Sequence, residues 1–301
     1  MPRARLPPPR GRRIPELGPG LAVVVLGLTS AITWGAGDFG GGLMSRRLPL
    51  FGVVMTTQLV GMVFALAMAV ARGEPVPTGS DLGWSLAARA FGVVGMTSLY
   101  RGLAVGRMGV VAPTTGVVGA VIPVAVGFAV EGVPRVATIA GIVLALVAVV
   151  LVTRAPGHGS DRPSGASWAF LAGTAIGGFN VSIGQLSGAG AFGPLVIIRL
   201  VQTLVLVVLV VAWRQPWRIH RTDVARLGVV GILDMAGNAA FIGAAQVGAL
   251  AVASVLSSLY PVTTVLLAIA LLHEHVSRSH VVGIILTVLA IALIAAGTAT
   301  L

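Results

Sequence analysis

Residues 249–272, ALAVASVLSSLYPVTTVLLAIALL, form a continuous apolar run without a charged side chain. As a helix rising about 1.5 Å per residue, a run of this length spans the roughly 30 Å apolar core of a bilayer. Lipid offers no water to the backbone N–H and C=O groups, so a helix, which pairs them internally, is the structure this run predicts.

Nine further runs share this character, and together the ten predict an all-α membrane protein of ten transmembrane helices. They are residues 21–44, 50–71, 84–105, 108–130, 136–152, 168–186, 192–213, 227–247 and 281–299. Of the whole chain 56% is hydrophobic and only 10% is charged, whereas about a quarter of the residues of a soluble protein are charged. Nine helices remain an alternative, because only Arg101 and Arg107 interrupt the third and fourth runs.

The charge of the chain is strongly basic, with a formal net charge of +11 carried by arginine. The arginines lie mainly between apolar runs and in residues 1–20, a Pro-rich stretch that we expect to be a disordered tail. We therefore expect no nucleic-acid partner. The chain has no cysteine, which excludes disulfides, thiolate nucleophiles and Cys-ligated metals.

The organisation of the chain predicts two similar halves, residues 21–153 and 167–301, joined by a Gly-, Pro- and Ser-rich linker at residues 154–166. A glycine, a glutamate and a second glycine recur at similar spacing, at Gly102, Glu131 and Gly141 and at Gly243, Glu274 and Gly283. Because each half has five helices, an odd number, the second half enters the membrane from the opposite side. The sequence thus predicts two inverted five-helix repeats, the plan of many secondary transporters.

Two stretches carry a family resemblance: YRGLAVGRMGVVAPTTGVVGAVIPVAVGFAVEGVPRVATIAG, residues 100–141, and FIGAAQVGALAVASVLSSLYPVTTVLLAIALLHEHVSRSHVVG, residues 241–283. With the dipeptide at Trp34 and Gly35, they resemble the repeat of the EamA-type drug/metabolite transporter superfamily. The resemblance implies ten helices, cytoplasmic termini, and transport, often export, of small metabolites or drugs. One departure is the proline spacing, since Pro261 precedes Glu274 by thirteen residues and neither proline of the first copy has that spacing from Glu131.

Charges inside the predicted helices are the best candidates for a functional site. Each costs about 2.5 to 3.5 kcal/mol at a helix centre, so such groups usually face a cavity or pair with one another. Measured from the predicted helix ends, Asp38, Arg101 and Asp234 share one layer, whereas Arg199 enters from the opposite surface and is expected to stay outside. Five residues form the predicted substrate or proton site: Asp38, Arg101, Asp234, Asn238 and Asn180, the last standing where Asp38 maps in the second half.

Prolines inside apolar runs point to kinked helices. Pro113, Pro123 and Pro261 each remove a backbone donor, and the freed carbonyl needs a neighbour or water in a cavity. We expect these three prolines to mark helices that line the cavity.

Metal and catalytic sites are not indicated. His273, Glu274 and His275 are adjacent, but their spacing matches no metal signature, and the two histidines face different sides of a helix. The glycines of residues 35–40 match a dinucleotide fingerprint without its βαβ context, so no cofactor is expected. Glu131 and Glu274 are expected to share a structural role, such as meeting Arg135 or Arg278.

The function predicted from the sequence is a secondary active transporter, exporting small metabolites or drugs by alternating access, and not an enzyme. The expected partners are a small-molecule substrate, the lipid bilayer and protons as a coupling ion. The expected location is the cell membrane with both termini cytoplasmic, although arginine counts in the loops favour the opposite orientation. The alternatives are an integral membrane enzyme acting on lipid-linked substrates and a non-transporting scaffold or sensor.

Overall fold

The computed structural model describes residues 19–45, 47–105, 108–153, 165–186, 190–272 and 278–298. Every regular element in these ranges is an α-helix. The helices are α1 Pro19–Ser45, α2 Leu50–Ala71, α3 Gly79–Val105, α4 Met108–Glu131, α5 Val136–Thr153, α6 Ala166–Gly184, α7 Phe192–Ala212, α8 Arg221–Val247, α9 Leu250–Ser257, α10 Tyr260–Leu272 and α11 Arg278–Thr298. The prediction of an all-helical protein is confirmed for this part of the chain.

Two features of the helices differ from the sequence prediction. The helix α8 begins at Arg221, six residues before the apolar run expected to start at residue 227. The ninth run is two helices, because the chain turns at Ser258 and Leu259 and α10 starts at Tyr260. Pro261 is the second residue of α10, a position where the missing N–H leaves few helix hydrogen bonds unmade.

The helices have the length and surface of membrane-spanning segments. Among the described residues, seven spans are long and apolar enough to cross a bilayer, and one of them, Leu250–Leu272, covers α9 and α10 together. Two shorter apolar helices, Val136–Leu151 and Val281–Ile294, accompany them. Large side chains such as Val208 and Leu289 are exposed on the outer surface, where lipid covers them. The chain is a multi-pass membrane protein.

Helices of one half pack mainly against helices of the other. The helix α1 packs on α8, α6 packs on α3, and α2 packs on α7. A methyl group added to Gly95 of α3 would lie 3.0 Å from Ile176 of α6. Added to Gly237 of α8, it would lie 2.7 Å from the indole nitrogen of Trp34 in α1. Gly237 and Ile176 stand 142 positions after Gly95 and Trp34, so the two contacts are equivalent.

A pair of hydrogen bonds repeats the same relation. Thr115 of α4 donates its hydroxyl to the Ala169 carbonyl oxygen of α6 at 3.3 Å. Ser257 of α9 donates to the Gly27 carbonyl oxygen of α1 at 3.4 Å. Both partners again differ by 142 positions, so one packing arrangement is built twice from the two halves.

Small residues allow these close approaches. Gly173 and Gly177 of α6 lie against Val118 and Ile122 of α4. Two buried clusters result, one around Leu256 and Ile294 and one around Met235, Phe241 and Ile183. Since lipid gives helices no hydrophobic drive to associate, this van der Waals packing is what holds the bundle together.

Two carboxylates cap helix N-termini of the opposite half. Glu74, after α2, accepts hydrogen bonds from the backbone N–H groups of Phe192 and Gly193 at 2.8 and 2.9 Å. Glu131, at the end of α4, accepts one from the Leu250 N–H at 2.9 Å. An anion at a helix N-terminus satisfies free donors and interacts favourably with the helix dipole. Glu274, the predicted counterpart of Glu131, lies outside the described residues.

Candidate polar site between the two halves

The contact between α1 and α8 brings two intramembrane acids, Asp38 and Asp234, to the same height along the helix bundle. A methyl group added to Gly37 would lie 3.7 Å from the backbone nitrogen of Asp234. Asp38 therefore follows directly after the point where α1 touches α8 at Asp234. The neighbouring Gly35 is packed against Thr263 and the Tyr260 carbonyl oxygen of α10, so α10 closes on the same segment of α1.

Arg199 of α7 reaches this level and forms an ion pair with Asp234. Its guanidinium also donates a hydrogen bond to the side-chain oxygen of Gln58 in α2. The Arg199 side chain is 12% exposed and that of Asp234 41%. The prediction that Arg199 stays outside the polar cluster is wrong.

The error arises from where α8 begins. With its first residue at Arg221, Asp234 lies thirteen residues into the helix, about 20 Å from that end. Arg199 is seven residues into α7 from the opposite side, about 10 Å. The long Arg199 side chain reaches from α7 across to α8, so the two charges meet near the middle of the bundle.

The other predicted site residues have different positions. Asn238 is buried and donates its side-chain amide to the Asp234 carbonyl oxygen at 2.7 Å, one turn back on α8. Asn180 lies on α6 and is partly buried. Arg101 lies near the end of α3, is exposed, and among the described residues forms no ion pair with Asp38 or Asp234.

The three prolines predicted to line the cavity also have different positions. The helix α4 is continuous through Pro113 and Pro123, and Pro123 is buried. Pro261 directly follows the turn between α9 and α10, beside the segment of α1 that carries Gly35.

Aromatic rings flank Asp38. Trp34, one turn before it on α1, stacks on Phe241 of α8 with ring centroids 5.8 Å apart. Trp34 also meets the Tyr260 ring edge-on at 6.4 Å. Gly35, three residues before Asp38, is packed against the Tyr260 carbonyl oxygen. The carboxylate and these rings thus belong to one site, in which α1 is contributed by the first half and α8 and α10 by the second.

The surface of Asp38 places it at a cleft. The residue is exposed, and around the axis of α1 it lies about 60° from Gly35, which meets α10, and about 100° from Gly37, which meets α8. Trp34 and Tyr260 also keep part of their surface accessible. An accessible residue between the two contact faces of α1 points toward the space between α8 and α10 and not toward the outer, lipid-covered surface.

A cavity of about 310 Å³ lies elsewhere, at the membrane face where α1 begins. It is lined by Val23, Glu131, Arg135 and Val252 among others, and it contains none of the charged groups of the α1–α8 contact. In the described residues no three His, Asp or Glu side chains group as a metal site would need. His273, Glu274 and His275 lie outside those residues.

Comparison with known proteins agrees with the geometry. The model of the EamA-like transporter family matches the chain twice, over residues 21–154 and 163–296. The chain belongs to the EamA-like transporter family. The resemblance found in the sequence is thereby confirmed. Membership fits a membrane transporter of small molecules that is not an enzyme.

A solved crystal structure, described only as that of a protein, has the same fold. Its TM-score is 0.68 at 18% identity, and the alignment covers 90% of this chain and 96% of the other. No curated protein matches the chain.

Sequence reasoning missed three residues of the site. The sequence prediction places Arg199 too far away, and it does not include Gln58 or Tyr260. Gln58 is an uncharged polar residue in the long apolar run 50–71, and Tyr260 directly precedes Pro261. Both signals were present, but only the helix contacts show that they converge.

Proposed function

We propose that this protein is a secondary active transporter that moves a small molecule through the polar site between its two halves. The observation that carries the proposal is the position of the intramembrane charges. Asp38 and Gln58 come from the first half, and Arg199 and Asp234 come from the second. A site built from both halves changes its access when the halves move against each other.

The proposed architecture is ten transmembrane helices in two inverted repeats, residues 21–153 and 167–301, with residues 154–166 as linker. In this architecture α9 and α10 together form the ninth helix. The equivalent contacts of Gly95 with Ile176 and of Gly237 with Trp34 support it. So does the break before Tyr260, because discontinuous helices line the substrate site of many transporters.

The substrate site contains Asp38, Asp234 and Asn238, with Arg199 as the ion-pair partner of Asp234. We propose that Arg101 and Asn180 line the substrate pathway on the side of α3 and α6. The helices that contain Pro113, Pro123 and Pro261 line the same pathway. Asp38 is the residue we assign to proton coupling. The transport direction is export from the cell, across the cell membrane, with both termini cytoplasmic.

Purified protein in liposomes tests the function. Efflux of a panel of small metabolites and drugs is followed with and without a pH gradient, beside empty liposomes. We expect movement of at least one compound above the empty control, and its loss in an Asp38→Asn variant. Absence of any protein-dependent movement across the panel would contradict the proposal.

The enzyme alternative gains no support from the structure. It requires a clustered catalytic set at one membrane face, and its candidates His273, Glu274 and His275 lie outside the described residues. The family match describes transporters.

A further inference from the structure

The charges of the polar site between the two halves do not cancel. Arg199 is already held by Asp234 and Gln58. In the part of the chain that the structure describes, no basic side chain forms an ion pair with Asp38. Asp38, Asp234 and Arg199 together leave one negative charge. A carboxylate inside a membrane protein is costly without a countercharge, so the site calls for a positive one.

The surroundings of Asp38 restrict what carries that charge. Trp34 lies one turn away on the same face of α1, and Tyr260 meets it edge-on. Both rings keep accessible surface, while Phe241 is fully buried behind Trp34. The face of an aromatic ring attracts cations, and most strongly where water is excluded.

Other ligand classes fit less well. An anion would have to displace Asp234 from Arg199, the basic side chain that the described residues place at this site. Divalent metal ions need several oxygen ligands, and no three metal-ligating side chains cluster in the described ranges. A bare proton neutralises Asp38 but makes no use of the rings.

We propose that Asp38, Trp34 and Tyr260 form a subsite for an organic cation, an ammonium group carried by a small and largely apolar molecule. The carboxylate supplies the countercharge and the rings contact the cationic head. The inference rests on the proposed function in that the cation would be the cargo, but binding is measurable without transport.

Binding of benzyltrimethylammonium to the full chain in nanodiscs tests the subsite. This probe has a fixed charge and no exchangeable proton. Neopentylbenzene, its uncharged counterpart of the same shape, and benzenesulfonate, an anion, serve as matched ligands. By calorimetry we expect the cation to bind at least about tenfold more tightly than either, as one charge-assisted contact allows.

Variants separate the contributions of the carboxylate and the rings. Asp38→Asn is expected to weaken cation binding about tenfold or more. Tyr260→Leu is expected to weaken it about two- to thirtyfold, the range of a cation–π contact, whereas Tyr260→Phe keeps the ring face and most of the affinity. Asp223→Asn removes a carboxylate at the start of α8, where it pairs with Arg226, and should leave binding unchanged.

The outcomes distinguish the subsite from the transport function. Equal affinity for the cation and neopentylbenzene, or undiminished binding in a folded Asp38→Asn variant, overturns the subsite. Transport of an uncharged compound that depends on Asp38 and a pH gradient, without cation binding, assigns Asp38 to protons alone and also overturns it. Cation binding with the expected variant pattern but no movement in liposomes supports the subsite and contradicts the transporter.

Discussion

At the scale of single residues, the ion pair between Arg199 and Asp234 is the central feature. It joins α7 to α8 and, through Gln58, also to α2. Both charges lie well inside membrane-spanning helices, where an ion without a partner is costly. We infer that each of the two charges is tolerated because of the other.

The pair should therefore show strong coupling in a double-mutant cycle. Arg199→Gln and Asp234→Asn each leave one charge uncompensated, whereas the double variant leaves none. We expect a coupling of about 0.5–3 kcal/mol, with the double variant more stable than the sum of the single losses predicts. Thermal unfolding of the purified proteins in detergent measures it, with the pair of the exposed Arg226 and the partly buried Asp223 at the start of α8 as reference cycle. Additive losses at Arg199 and Asp234 would show that the charges act independently.

Sequence and structure agree best on features that depend only on a residue and its neighbours in the chain. The presence of Asp38 and Asp234 in helices follows from the apolar runs around them, whereas the depth of Asp38 in the membrane stays a prediction. Arg199 could not be placed because its partner depends on the start of α8. Residues 221–226 contain three charges, and hydropathy does not count a polar helix turn at the membrane surface as part of the helix. A residue's depth calculated from a predicted helix end carries the same error as that helix end.

At the scale of helices, glycine determines how closely α1 approaches its neighbours. Gly35 lies so close to Thr263 and the Tyr260 carbonyl oxygen that a methyl group there has no room. Gly42, about two turns further along α1, has no atom within 4 Å of its added methyl position. The sequence alone does not tell which of these glycines is in contact, because that depends on the rotation of each helix about its axis.

Alanine at the two glycines should have opposite effects. Gly35→Ala is expected to destabilise the protein by about 1–3 kcal/mol, because α10 has to move or side chains have to leave their rotamers. Gly42→Ala is expected to be neutral or to stabilise by up to about 1 kcal/mol, because alanine is the better helix former. Thermal unfolding in detergent compares the two. Equal shifts for both variants would show that α1 and α10 are not in close contact at Gly35.

At the scale of the whole molecule, the two halves share packing but not chemistry. The contacts of α1 with α8 and of α6 with α3 are equivalent. Yet the position equivalent to Asp38 is occupied by Asn180, and that of Asp234 by Gly92. The first of these was visible in the sequence. Among the described residues, the intramembrane acids Asp38 and Asp234 therefore lie at the contact of α1 with α8 and have no acidic counterpart at the contact of α6 with α3.

The inverted arrangement predicts the sides of two equivalent loops. Residues 72–78 connect α2 to α3, and residues 213–220 connect α7 to α8. If five helices form each half, these loops face opposite sides of the membrane. Thr78 and Arg218 are both exposed, and the native chain has no cysteine, so Thr78→Cys and Arg218→Cys each provide one thiol without background.

A membrane-impermeant maleimide applied to intact cells reads out the two positions. With a cytoplasmic N-terminus and five helices per half, the loop of Arg218 lies outside the cell and the loop of Thr78 lies in the cytoplasm. We therefore expect Arg218→Cys to react in intact cells and Thr78→Cys to react only after permeabilisation. The reverse pattern would keep the inverted repeat and overturn the cytoplasmic termini. Labelling of both positions from one side would overturn the inverted repeat itself, because equivalent loops of a parallel repeat share a face.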